Sequence, residues 1–242
     1  MKRELDNRPG NQIHKSLYKL GGVAAWMAAL LTLGEVILFI FYPQPETVTG
    51  WFELFQETPF LGLLEFWGLE FPMYILFTLV FLALYFSLRK VGESAMAIAL
   101  ALALLGSGIF LATNNPFSML SLSKQFAAVA TEEQRSALLV AGEALLANTN
   151  QRAVGGFNMG LFLVSAAGLV VSAVMLIGGP FGKTTAYTGI LAFALSLADY
   201  LRQALTDSTV MALLVILPNV LFLTAWLLSA GRRLLQLGKP KS

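Results

Sequence analysis

Apolar residues fall along this chain in long unbroken runs, joined in some places by short polar stretches and in others by long mixed segments. Six runs stand out: Leu17–Tyr42, Phe71–Leu88, Ala95–Ala112, Phe157–Gly178, Ala186–Leu205 and Thr209–Ala230. Each reaches or passes the roughly 18 to 20 residues that a helix needs to cross a hydrocarbon core. None alternates as a membrane barrel strand would, and a helix satisfies its own backbone hydrogen bonds in lipid. The pattern predicts an all-α polytopic membrane protein. Six transmembrane helices form one domain, residues 17–231, between polar basic tails at 1–16 and 232–242. The first run continues into Pro43 without a small-x-small cleavage site, so it reads as a retained span.

The two long mixed segments, 43–70 and 113–156, carry a different pattern. In the first, aromatic and aliphatic residues interleave with Glu46, Glu53, Glu57, Glu65 and Glu70. That mixture predicts a short interfacial helix or a re-entrant turn. Trp51 and Trp67 suit an interface, where an indole is half wet. The segment is either a hydrophobic cover over the bundle or a substrate mouth. The second segment predicts two amphipathic helices. Asn115 precedes Pro116, so an N-cap is followed by proline at the first helical position. Phe117, Leu120 and Phe126 lie on the helix that follows, Pro116–Val129. Thr131-Glu132-Glu133-Gln134 matches a capping box, with Thr131 accepting from the Gln134 amide. The next helix has Leu138 on its apolar side and Glu132, Arg135 and Glu143 on its polar side. Neither is long or apolar enough to span, so both are expected to lie across the outer face.

Composition supports lipid as the main solvent. Apolar residues make up 57% and charged residues 12%, about half the charge of an ordinary soluble domain. Position matters more than the net charge of +2. With the N-terminus inside, the cytoplasmic set is Lys2, Arg3, Arg8, Lys15, Lys19, Arg89, Lys90, Lys183, Arg232, Arg233, Lys239 and Lys241. Only Lys124, Arg135, Arg152 and Arg202 fall outside. This asymmetry predicts both termini in the cytoplasm and the two long segments on the outer face. The chain has no cysteine and one histidine, His14. Disulfides, thiolate metal sites and His-ligated haem are therefore excluded, and no metal or other cofactor is expected.

Ionisable groups inside spans are the natural functional candidates, because an unpaired charge in lipid is costly. Glu35 lies in the first span and Asp199 in the fifth, each roughly 10 Å below the outer end at about 1.5 Å per residue. Arg202 follows Asp199 by three residues and shares its helix face. One reading is a structural Asp199–Arg202 pair with Glu35 bonded to a neighbouring helix. The other is an outward polar pocket formed by Glu35, Asp199 and Arg202 and rimmed by Asn158 and Glu70. Asn219 follows Pro218 in the sixth span, where it can satisfy a backbone bond that the proline breaks. Small residues in spans three and four, including Ala99, Ala103, Gly106 and Gly160, permit close helix approach. Gly178-Gly179-Pro180-Phe181-Gly182-Lys183-Thr184 lacks the P-loop's first glycine, since Ile177 stands there, so nucleotide binding is rejected. No nucleophile or metallohydrolase motif is present, and acid–base chemistry would rest on Glu35 and Asp199 alone.

The run LATNNPFSMLSLSKQFAAVATEEQRSALLVAGEALLA resembles the signature of the domain-of-unknown-function 4386 (DUF4386) family of bacterial and archaeal multi-pass membrane proteins. LYFSLRKVGES and KTTAYTGIL fit the same resemblance. The chain has Phe126 at the aromatic position of that signature and departs from it by an extra asparagine in Asn114–Asn115–Pro116. The resemblance implies six spans and a plasma membrane, and it implies no activity. The leading expectation is a non-enzymatic protein whose outer face binds a lipid, a small hydrophobic molecule or a partner membrane subunit. A small transporter or channel using Glu35 and Asp199 is the alternative, and an intramembrane lipid-modifying enzyme the third.

Overall fold

The computed structural model describes residues 9–66, 68–149, 158–205 and 209–239. Ten helices, and no strand, occur among them. They are α1 (Pro9–Phe41), α2 (Val48–Glu57), α3 (Pro59–Glu65), α4 (Glu70–Leu88), α5 (Glu93–Thr113), α6 (Pro116–Ala128), α7 (Glu132–Thr149), α8 (Met159–Ile177), α9 (Lys183–Leu205) and α10 (Thr209–Leu237). Among the described residues, five helical stretches are long and apolar enough to cross a membrane: His14–Phe41, Pro59–Leu88, Glu93–Ala128, Met159–Ile177 and Val210–Leu237. The chain is thus all-helical with membrane-spanning character. α9 is less apolar than these, with Thr184, Thr185 and Thr188 near its start and Asp199 and Arg202 near its end.

Six helices close into a ring. α1 packs on α4, α4 on α5, α5 on α8, α8 on α9, α9 on α10, and α10 back on α1. Small residues set how close neighbours come. Ala24, Ala25, Ala28 and Ala29 are fully buried on α1. A Cβ on Gly22 would lie 2.9 Å from the Gly231 carbonyl oxygen, and one on Gly106 would lie 2.7 Å from that of Gly160. The expected close approach of spans three and four is therefore present at α5 and α8. Large side chains fill the remaining interior, with Tyr74 of α4 stacked on Phe110 of α5 at 3.7 Å between ring centroids.

A second, separate core forms from α2, α3, α6 and α7. It lies at the end of the ring where α1 finishes and α4 begins. Trp51, Phe52, Phe55, Phe66, Met119 and Leu146 are its fully buried members. The Ser123 hydroxyl donates to the Phe52 carbonyl at 2.8 Å and Gln56 donates back to the Ser123 carbonyl at 3.3 Å, joining α2 to α6. Phe52 and Phe126 pack at 5.0 Å, and the Arg135 guanidinium lies over the Phe126 ring. At the opposite, terminal end, Tyr18 of α1 donates to the Phe86 carbonyl and Arg233 of α10 donates to the Pro180 carbonyl.

Several boundaries differ from the sequence expectation. α1 begins at Pro9, inside the segment read as a tail, and α10 continues to Leu237, past Ala230. Polar flanks with few helix breakers carry a helix beyond the hydrocarbon. Segment 43–70 contains two helices rather than one helix or a turn, broken at Thr58–Pro59 because the proline starts a new helix. Trp67, Arg152 and Phe157 lie outside the described residues.

Candidate functional site

Polar side chains collect where the ring meets its capping helices. Glu70 opens α4 and is 3% exposed; Glu65 closes α3 and is 1% exposed. Neither oxygen of either carboxyl has a hydrogen-bond partner of good geometry. The carboxyl of Glu35, half-buried on α1, lies within reach of Glu70 and within electrostatic range of Glu65. Tyr74 stands one turn after Glu70, so both side chains leave the same face of α4. Its hydroxyl is buried without a partner and lies in the field of Tyr200, Glu70 and Glu35. Gln44 pins the approach from α1, donating to the Glu65 carbonyl at 2.9 Å.

The site continues onto α8 and α9. Asn158 caps α8, its Oδ1 accepting from the Leu161 amide at 3.0 Å, while its carbonyl accepts from the Tyr200 hydroxyl at 3.0 Å. The Asn158 amide nitrogen is buried and unpartnered. Both amide atoms of the fully buried Asn114, at the end of α5, are likewise unpartnered. A buried polar atom left without a partner costs about 1–3 kcal/mol. Several in one region mark a place where the chain gives up stability, a common property of functional sites.

The sequence-derived pocket is therefore assembled in part. Glu35 and Glu70 meet, and Asn158 joins them through the Tyr200–Tyr74 side. Asp199 instead bonds Arg202, with Nε to Oδ1 at 2.6 Å, which is the structural pairing that their spacing allows. Asn219 does not mend its own helix; its amide reaches α9, donating to the Ala192 carbonyl at 2.6 Å and the Ser196 hydroxyl at 2.8 Å. α10 runs through Pro218 as one helix. Glu65, Tyr74, Tyr200 and Asn114 were not singled out. The one available signal was the Glu70/Tyr74 spacing, and Asn114 was visible only as an extra residue in a turn. Among the described residues, no three His, Cys, Asp or Glu side chains converge as a metal site requires.

The capping helices carry an open cleft of about 720 Å³ between α6 and α7. Asn115, Ser118 and Ser121 supply polar atoms, while Phe117, Leu122 and Leu145 supply apolar surface. Asn115 caps α6 by accepting from the Phe117 amide at 3.0 Å, and Thr131 accepts from the Gln134 amide at 3.3 Å. Of the three apolar residues expected on α6, Leu120 and Phe126 pack inward, whereas Phe117 stands 64% exposed at the cleft. On α7, Leu138 is half-buried, and Glu132, Arg135 and Glu143 are exposed. A second crevice lies at the terminal end, between Trp26 of α1, the start of α9 and the last turns of α10. Neither opening is lined by Glu35 or Asp199. Compared with protein-family models, curated proteins and solved structures, the chain finds no match.

Proposed function

We propose that this chain is a six-span plasma-membrane protein that works by binding, with the α6–α7 cleft as the binding surface. The cleft carries the reading. Its volume falls within the range of about 300–1,000 Å³ typical of small-molecule sites, and it combines apolar walls with a few hydroxyls and one amide. The ligand is a lipid or small hydrophobic molecule, or an apolar segment of a partner membrane subunit. In this reading α9 is the sixth span, supported by its place in the ring between α8 and α10. The Lys and Arg asymmetry supports cytoplasmic termini and puts the cleft outside. Its likeness to the DUF4386 signature, which spans α6 and α7, supports a bacterial or archaeal plasma membrane.

Native mass spectrometry after gentle extraction tests this. The wild-type chain should carry a bound lipid, small molecule or subunit. Ala144→Trp, which fills the cleft from an exposed position, should lose it without a change in melting temperature. A bare wild-type monomer, or bound species identical in wild type and Ala144→Trp, overturns the reading.

One observation favours a transporter or channel instead: the meeting of Glu35 and Glu70, beside Glu65, with four buried carboxyl oxygens lacking a hydrogen-bond partner of good geometry. Carboxyls in that state are suited to taking up and releasing a proton or small cation. Asp199, already paired with Arg202, contributes less to this reading than Glu35 does. Proteoliposomes should then show a proton or cation flux that Glu35→Gln abolishes and Asp199→Asn reduces only partly. Flux that survives Glu35→Gln sinks it.

A further inference from the structure

We propose that the crevice at the terminal end, opposite the capping helices, binds an anionic glycerophospholipid, its phosphodiester at Arg232 and Arg233 and its acyl chain along Trp26 and Leu228. The opening measures about 800 Å³. Its α10 wall is a single stripe, because Ala225, Leu228, Ser229, Arg232, Arg233 and Gln236 recur at three- and four-residue steps. Polarity along that stripe is graded: two apolar residues, then a hydroxyl, then two guanidiniums and an amide. The gradient extends over about 16 Å at roughly 1.5 Å per residue. On a membrane-crossing helix this direction is depth, so the apolar end lies in hydrocarbon and the cationic end at headgroup level. A phospholipid has the same gradient in the same direction.

The walls are built for such a guest. Arg233 is fixed by donating to the Pro180 carbonyl and, through Nη1, to Gln236 Oε1 at 2.9 Å. Arg232 beside it is exposed, and no described residue takes its guanidinium. A fixed guanidinium next to an available one suits a phosphodiester, to which arginine presents a fork of donors. The Trp26 indole is held at the apolar end by donating to the Leu228 carbonyl at 3.2 Å, and both side chains remain exposed to lipid. Thr185 and Gly182 bring the first turn of α9 to the rim, and no acidic residue among the described ones lines the crevice. The all-positive lining selects an anionic headgroup. A zwitterionic lipid would bring its own cation against the arginines.

The test uses the purified full chain in mild detergent. Native mass spectrometry follows retention of phosphatidylglycerol against phosphatidylcholine with matched acyl chains, at equal concentration. The wild type should retain phosphatidylglycerol at least about fivefold better, the size expected for one arginine near a headgroup. Arg232→Gln should erase most of that preference, while Lys124→Gln, on the capping helices, should leave it intact. Arg232 is the informative position because no described residue bonds its side chain, so the variant breaks no structural contact among them. Equal retention of the two lipids, or a preference unchanged in Arg232→Gln, overturns the proposal. Displacement of the lipid by inorganic phosphate at the same concentration also overturns it, because the crevice would then be a phosphate site in which the acyl chain contributes nothing. The α6–α7 cleft lies on the other end of the bundle, so Ala144→Trp should leave this preference unaltered.

Discussion

Gly160→Ala will destabilise the protein by about 3 kcal/mol, or roughly 6–12 °C in Tm for a chain of this size. One methyl group has this effect because of what it meets. A Cβ at Gly160 would sit 2.7 Å from the Gly106 carbonyl oxygen and 2.8 Å from the Phe110 amide nitrogen. Both are backbone atoms of α5, so no rotamer change relieves the overlap. The helices must move apart. Separation would loosen Val164, Ala103 and Phe110, which are buried at or near the same helix contact, and with Phe110 the stacking partner of Tyr74. Gly106→Ala should behave alike, since its Cβ meets the Gly160 carbonyl oxygen at 2.7 Å. Gly108→Ala, two residues further along α5, has nothing within 4 Å and should stay within about 0.5 kcal/mol of wild type. Thermal unfolding in detergent, read by loss of the monodisperse peak, checks all three. If Gly160→Ala and Gly108→Ala melt together, close α5–α8 approach does not hold this ring.

What the sequence made legible was mostly local. A helix in lipid announces itself by composition, so α4, α5 and α8 begin and end within two residues of their expected bounds. Asn115 and Thr131 cap as their neighbours implied, because an N-cap needs only residues two or three positions away. Asp199 and Arg202 pair for the same reason. Contacts between distant segments were not legible. Glu35 and Glu70 lie thirty-five positions apart, and nothing in either run says that α1 and α4 are neighbours in the ring. Tyr74 and Tyr200 look like ordinary aromatic members of apolar helices until their hydroxyls are placed. The first outer segment shows the same limit in another way. Trp51 suits an interface because it sits near glutamates, but with Phe52 and Phe55 it is buried in one core with Met119 and Leu146, from a segment more than sixty residues later. Composition reports that a residue leaves water; it does not distinguish lipid from protein as the destination.

Replacing Glu65 with methionine will make the protein more stable, by about 1–3 kcal/mol, against the usual sign for a buried substitution. Both Glu65 oxygens are buried without partners beside Phe66 of the capping core. Methionine has nearly the same length and a flexible, slightly larger side chain, so it fills the site without leaving a cavity. The backbone bond from Gln44 to the Glu65 carbonyl survives the change, because it does not involve the side chain. A gain in Tm accompanied by loss of ligand or flux would identify Glu65 as a group kept for function at the expense of stability. A fall in Tm would mean that the carboxyl is held by interactions worth more than its burial costs. Glu35 and Glu70 need a different design, since removing one strands the other. A double-mutant cycle with Glu35→Gln and Glu70→Gln should show a coupling above about 0.5 kcal/mol if the two carboxyls act as a pair. Additive single effects would separate them, and the acidic cluster would then reduce to independent buried groups with no common site.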